Sequence, residues 1–100
     1  MAKIKVEFHR LARKEYDEAR KWYAERSQIA AQRFKDAVDE AIIRISESPQ
    51  ALPRLSGPYR WTRVRRFPYL VIFREREPRE MVVVAVAHAS RRPGYWRQRT

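Results

Sequence analysis

The sequence predicts an α+β protein with an N-terminal strand, an antiparallel two-helix hairpin and a three-stranded antiparallel meander, which together form one small four-stranded sheet. Three observations predict this class. The apolar residues alternate at the start of the chain, recur with a helical period through the middle, and form short runs in the second half. One hundred residues support one modest core, so residues 1–100 are expected to form a single domain.

The first two elements follow from a change of period. Residues 3–8 alternate, which predicts a strand with one face in solvent. From Leu11 the spacing becomes helical, and the predicted buried stripe is Ala12, Tyr16, Ala19 and Tyr23. This helix is expected to end near Arg26, because Ser27 is a residue type that caps the start of a following helix.

The second helix is predicted from another apolar stripe and ends at Pro49. Its members are Phe34, Val38, Ala41, Ile42 and Ile45. Neither helix can bury its stripe alone, so both are expected to form a hairpin that lies on one face of a sheet. Residues 49–58 contain three prolines and are predicted to be a connecting loop.

Three strands are predicted in the second half, at residues 59–65, 69–73 and 81–88, with a turn at 74–79. The run from Met81 to Ala87 is wholly apolar, which indicates a strand buried on both faces. Pro68 lacks a donor and is expected at the beginning of a strand or at an edge. Counting the reversals of the chain, we expect the first and second strands to be antiparallel.

The positive charge is concentrated in the second half of the chain. Residues 1–50 carry 11 Lys and Arg against 9 Asp and Glu, whereas residues 51–100 carry 12 Arg against 3 Glu. The planar guanidinium suits two-point contacts with phosphate or carboxylate. The charge therefore favours a polyanionic partner, either nucleic acid or an acidic protein segment, over a merely solubilising surface.

The residue inventory excludes several classes of site. There is no cysteine, so disulfides and thiolate sites are excluded, and with only two histidines no metal site is expected. Two glycines do not make a phosphate-binding loop, and no cofactor is expected. No stretch approaches the length of a membrane span, so we expect no membrane partner and a cytoplasmic protein.

The polar residues that follow the last strand suggest work on phosphate without a metal. His88 is the one side chain near the basic cluster that titrates near neutrality, and Tyr69 and Tyr95 could exchange a proton or stack on a base. Arginines would stabilise the developing charge; the candidates are Arg63, Arg65, Arg91 and Arg92. We expect all of these on the sheet face that the helices leave bare. The alternative is that His88 is structural and that Tyr69 and Trp96 are packing residues.

The order of elements resembles the RelE/ParE superfamily of toxins from type II toxin–antitoxin modules. The resemblance covers nearly the whole chain. It rests on Phe8-His-Arg-Leu-Ala12, Trp22-Tyr23, Arg33-Phe34, Pro49, Arg66-Phe-Pro-Tyr69, Ala85-Val-Ala-His88, Arg91-Arg92-Pro93 and Tyr95-Trp96.

The resemblance implies a small toxin that is neutralised by a cognate acidic antitoxin. Such antitoxins wrap an extended acidic and apolar segment around the toxin. RelE-like members cut mRNA on the ribosome, and ParE-like members poison DNA gyrase. For the nuclease the resemblance implies Arg63 and Tyr95 as catalytic residues, with His88 as the third. Leu70 stands where RelE-like toxins carry an arginine, which favours gyrase as the target.

Residues expected to bind the target or nucleic acid lie around the same strand end. They are Arg60, Arg65, Arg66, Tyr69, Arg91, Arg92 and Trp96.

Overall fold

The computed structural model describes residues 4–99 and contains two helices and five strands. The elements are β1 (Lys5–Phe8), α1 (Arg10–Ala24), α2 (Gln28–Glu47), a 3₁₀ turn (Pro49–Ala51), β2 (Arg54–Ser56), β3 (Tyr59–Val64), β4 (Tyr69–Glu77) and β5 (Glu80–His88). The predicted order of strand, helix pair and meander is confirmed. Residue 3 of the first predicted strand lies outside the described residues.

The strands form one mixed sheet in the order β1-β5-β4-β3-β2. The α+β class is confirmed, but the sheet has five strands because the predicted loop contains β2, which pairs antiparallel with β3. β2 also supplies one more reversal of the chain. The expectation that the first and second predicted strands are antiparallel is therefore wrong: β1 pairs parallel with β5, which has the same direction as β3.

Both helices begin at a side-chain cap. The Nδ1 atom of His9 accepts a hydrogen bond from the Leu11 backbone N–H at 3.0 Å, and Ser27 Oγ accepts one from the Ala30 N–H at 3.2 Å. Each bond satisfies a donor that the first helical turn leaves unpaired. The predicted cap at Ser27 is confirmed, whereas the cap at His9 was not predicted.

The core between the helices and the sheet is centred on Phe34, which is fully buried. Its ring lies 5.8 Å from that of Tyr16, 5.2 Å from those of Tyr23 and Phe67, and 5.3 Å from that of Tyr69. These contacts join both helices to the connection between β3 and β4. The predicted apolar stripes are therefore core, as expected.

The opposite face of the sheet is partly covered by residues 89–99, which follow β5 as a series of turns. Trp96 is only 4% exposed and packs over this face, with its ring 6.4 Å from that of Tyr59. The expectation that this face is bare is wrong. β5 therefore has both faces buried, as its apolar run predicts, with helices on one side and Trp96 on the other.

The hairpin between β4 and β5 is tighter than predicted. β4 extends to Glu77, so only Pro78 and Arg79 lie between the strands, and the predicted turn at residues 74–79 is wrong. The charged end of β4 is held by ion pairs, because Arg76 contacts both Glu7 and Glu80. Pro68 comes directly before β4, as expected.

Replacing Phe34 by Ala should destabilise the protein by about 3–5 kcal/mol, because the aromatic core would lose its central ring. Ile29→Ala on the same helix is the matched control. Ile29 is 65% exposed, so its truncation should change the free energy of unfolding by no more than about 0.5 kcal/mol. Urea unfolding measures both values, and similar losses in the two variants would contradict this core.

The cap at His9 should make stability depend on pH. Burial, then the positive charges of Arg99 and Arg10, lower the pKa of His9 in the folded protein. The stabilisation is thus fully present above the unfolded pKa of about 6.5, and it is lost as pH falls through the folded pKa. His9→Asn keeps a capping acceptor that does not titrate. Urea midpoints should fall more steeply below pH 6.5 for the wild type, and parallel curves would contradict the assignment.

Candidate functional site

His88 is the last residue of β5 and lies opposite Tyr69, the first residue of β4. The two rings meet edge to face with centroids 5.1 Å apart. Tyr69 packs on Phe34 in the core beneath the helices, and paired residues of neighbouring strands share a face. His88 therefore faces the helical layer rather than the opposite face, where it was expected.

The imidazole of His88 is oriented by the turn that follows it. Its Nδ1 atom accepts a hydrogen bond from the Ser90 backbone N–H at 3.1 Å and lies 2.7 Å from Ser90 Oγ. Because Nδ1 is the acceptor, the neutral ring carries its proton on Nε2. The ring lines a cleft of about 420 Å³, together with Glu18, Trp22 and Arg91.

Arg63 projects from the other face of the sheet. It lies opposite Leu70, which in turn lies opposite Ala87, one residue before His88. Successive side chains of a strand alternate between faces, so Arg63 and His88 lie on opposite sides. The guanidinium of Arg63 is exposed and, within residues 4–99, makes no hydrogen bond or ion pair.

Tyr95 is held with its hydroxyl inside the protein. The hydroxyl oxygen is buried and makes no hydrogen bond of standard geometry with any residue between 4 and 99. The guanidinium carbons of Arg91 and Arg99 lie 4.2 and 5.0 Å from the ring centroid. Burial and the neighbouring Glu15 carboxylate raise the pKa of Tyr95. A buried phenol with a raised pKa is poorly placed to exchange a proton with a substrate.

The predicted catalytic residues are therefore not brought together. His88 and Tyr69 share the helix-covered face, Arg63 lies on the opposite face, and the hydroxyl of Tyr95 is enclosed. Tyr69 itself is half-buried, and burial raises its pKa. No single surface of the described chain combines the three side chains that the nuclease hypothesis needs.

The expected binding residues do not all lie at the end of β5. Arg60 donates to the carbonyls of Gln50 and Leu52, at 3.3 and 2.7 Å, and so fastens the turn before β2 to β3. Arg65 and Arg66 lie between β3 and β4 beside α2. Arg91 and Arg92 follow β5 at the same end of the sheet, where the Ala89 N–H donates to the Pro68 carbonyl at 2.8 Å.

Trp96 is a packing residue, and Tyr69 also packs against the core. The expectation of a bare face for the ligand is wrong, because residues 89–99 fold back over it.

The ion pair between Glu15 and Arg99 was not predicted from the sequence. It provides hydrogen-bond partners for backbone groups at the edge of β5. Beyond Phe8 this edge has no neighbouring strand. Glu15 Oε1 accepts from the Val86 N–H at 3.0 Å and from Arg99 at 3.0 Å, while Arg99 donates to the Val84 carbonyl at 2.9 Å. The two side chains thus replace part of a missing strand. A signal was present, since Glu15 falls within the spacing of the buried stripe, between Ala12 and Ala19.

Fold and geometry together define a small basic α+β protein whose exposed surface is suited to binding macromolecular partners. A family model described as "ParE toxin of type II toxin-antitoxin system, parDE" matches residues 6–93. The chain therefore belongs to the ParE family of type II toxins. A comparison with curated proteins finds no match.

Membership makes the chain a toxin of a type II toxin–antitoxin system, and such a system includes a cognate antitoxin as partner. In residues 4–99 neither helix combines the length and the apolar character needed to span a bilayer.

Glu15→Gln should destabilise the toxin by about 1–3 kcal/mol, because Arg99 would lose its counter-charge in a mostly buried position. Glu18→Gln, on the exposed side of the same helix, is the matched control and should change the free energy of unfolding by less than about 0.5 kcal/mol. Urea denaturation measures the free energy of unfolding of both variants. In Glu15→Gln the Val86 amide should also exchange its hydrogen faster, because it donates to Glu15. Equal stabilities would show that the pair is not needed to close the edge.

Proposed function

We propose that this toxin arrests growth by poisoning DNA gyrase, trapping the enzyme on cleaved DNA, and that it does so by binding rather than by chemistry of its own. The chain belongs to the ParE family, and ParE-like toxins poison DNA gyrase. Leu70 stands where RelE-like toxins carry an arginine, which also favours gyrase as the target. The cognate antitoxin would relieve the arrest with an acidic and apolar segment that neutralises part of the basic surface.

The observation that carries the proposal is the separation of the residues that RNA cleavage would require. Metal-independent cleavage needs a proton acceptor, a proton donor and a positive charge around one phosphate. Here the candidate cation, Arg63, and the candidate base, His88, lie on opposite faces of the sheet. The hydroxyl of Tyr95 is buried, so it is not accessible to a phosphate. The separation favours a toxin that acts by contact.

Purified toxin should inhibit supercoiling by gyrase and should increase the amount of DNA cleaved when the reaction is stopped with detergent. His88→Ala should inhibit to the same extent, within about two-fold, since the imidazole packs on Tyr69 and accepts from the Ser90 N–H, and it is not brought together with Arg63. The measurement is the toxin concentration that halves supercoiling. Addition of the cognate antitoxin should restore supercoiling and serves as the specificity control.

Unaltered supercoiling at saturating toxin would overturn the gyrase proposal. Loss of toxicity in cells on His88→Ala, together with new transcript ends in the wild type, would favour the ribosome-dependent nuclease instead. A circular dichroism spectrum of the variant confirms that it is folded, so that a loss of activity can be assigned to the imidazole.

A further inference from the structure

Within residues 4–99, several arginines make no hydrogen bond, ion pair or ring contact. Most arginine side chains are engaged, as with Arg60 at the carbonyls before β2 and Arg99 at Glu15. In the part of the chain that the structure describes, the guanidiniums that make no hydrogen bond, ion pair or ring contact are those of Arg10, Arg20, Arg33, Arg54, Arg63, Arg65, Arg66 and Arg92.

Three of these arginines line one groove beside the β3–β4 connection. Arg33 from α2 and Arg65 and Arg66 from the connection are exposed, and they border a groove of about 640 Å³. We call these three residues the turn cluster. Arg66 has a φ of 73°, a left-handed conformation that costs free energy for any residue other than glycine.

The local charge around the turn cluster is not balanced. Arg44 lies against the neighbouring strand, where it donates to Thr62 Oγ1 and to the Arg63 carbonyl. Burial, followed by the positive charge of Arg65, lowers the pKa of Arg44, and the negative charge of Glu40 opposes that shift.

Two carboxylates, those of Asp36 and Glu40, also border the groove, so its three guanidiniums exceed its carboxylates by one charge. Asp36 accepts a hydrogen bond from the uncharged amide of Gln32 at 3.0 Å. The first turn of α2 contains no acidic residue, so the positive end of that helix adds to the potential. An excess of exposed guanidiniums from α2 and from the β3–β4 connection, on a chain with a net charge of +11, is a feature of surfaces that bind polyanions.

We infer that the turn cluster contacts the phosphates of double-stranded DNA. Exposed guanidiniums from separate segments can each take a different phosphate, and each contact releases a condensed counterion. The inference goes beyond gyrase poisoning, because the toxin would touch the DNA as well as the enzyme. It would thereby be held preferentially at complexes in which DNA is engaged.

An acidic peptide is the other polyanion that these arginines could take. The groove exposes one large aliphatic side chain, Ile29, and is also lined by the half-buried ring of Phe67, which packs on Phe34. Burial of one such side chain recovers only a small part of the cost of ordering and associating a peptide. Contacts with phosphate need no apolar anchor, since their free energy comes from counterion release. The composition of the groove therefore favours DNA.

The test measures binding of the purified toxin to a short fluorescent DNA duplex, by anisotropy, at several salt concentrations and without gyrase. The logarithm of affinity should fall linearly with the logarithm of salt concentration. In a triple variant with Arg33→Gln, Arg65→Gln and Arg66→Gln, the slope should become shallower by about 2 to 3, and affinity at 0.1 M salt should fall roughly 100-fold or more.

The matched control is a triple variant with Arg10→Gln, Arg20→Gln and Arg54→Gln, which removes the same charge from unpaired arginines elsewhere. Its slope should stay within about one unit of the wild type. Equal losses of DNA affinity in both triple variants would mean that DNA is attracted by the overall charge of the protein, and this would overturn the assignment to the turn cluster. Unchanged affinity in both variants would also overturn it. If a fluorescent glutamate-rich peptide of equal charge bound more tightly than the DNA duplex, the inference would be overturned and the turn cluster would be assigned to an acidic protein partner.

Each single variant should lower the slope by about 0.9, which keeps the test informative if the triple variant is poorly folded. The outcome is separable from that of the proposed function. A toxin that binds DNA through the turn cluster but leaves supercoiling unaffected supports the inference alone. One that poisons gyrase equally well and binds DNA equally well without these arginines refutes it.

Discussion

The burial of β5 on both of its faces is the constraint on which the rest of the structure depends. One face packs beneath the helices and the other beneath Trp96, so the seven apolar residues from Met81 to Ala87 are removed from water. A strand buried in this way still needs partners for its edge. β1 supplies them as far as Phe8, and the Glu15–Arg99 pair supplies them beyond it.

The same arrangement determines which polar side chains can act together. The segment that delivers Trp96 to the sheet also occupies the surface where a site was expected, and it encloses the hydroxyl of Tyr95. Alternation along the strands then places Arg63 and His88 on opposite faces, although they lie close to the same end of the sheet. Among the side chains that remain exposed are those of Arg33, Arg65 and Arg66, which border the groove beside α2.

Much of the fold could be predicted from local patterns. The helical stripes, the cap at Ser27 and the buried run of β5 are confirmed, because each depends on residues close in sequence. β2 was missed because it has only three residues and lies between prolines. The reversal of the chain that β2 adds makes β1 parallel to β3, whereas the two were predicted to be antiparallel. The full length of β4 was missed because its charged end is stabilised by Arg76 with Glu7 and Glu80, a contact across the sheet. The covering of the second sheet face was missed for a similar reason, since no local pattern reveals that residues 89–99 fold back.

The proposal that this toxin acts by binding rather than by cleaving RNA is tested most directly by mapping the 5′ ends of a defined mRNA during translation, with and without purified toxin. The account predicts the same ends in both reactions at a toxin concentration that fully inhibits gyrase. New ends that appear with the toxin and disappear with His88→Ala would contradict it. They would mean that the imidazole reaches a phosphate from the helix-covered face of the sheet.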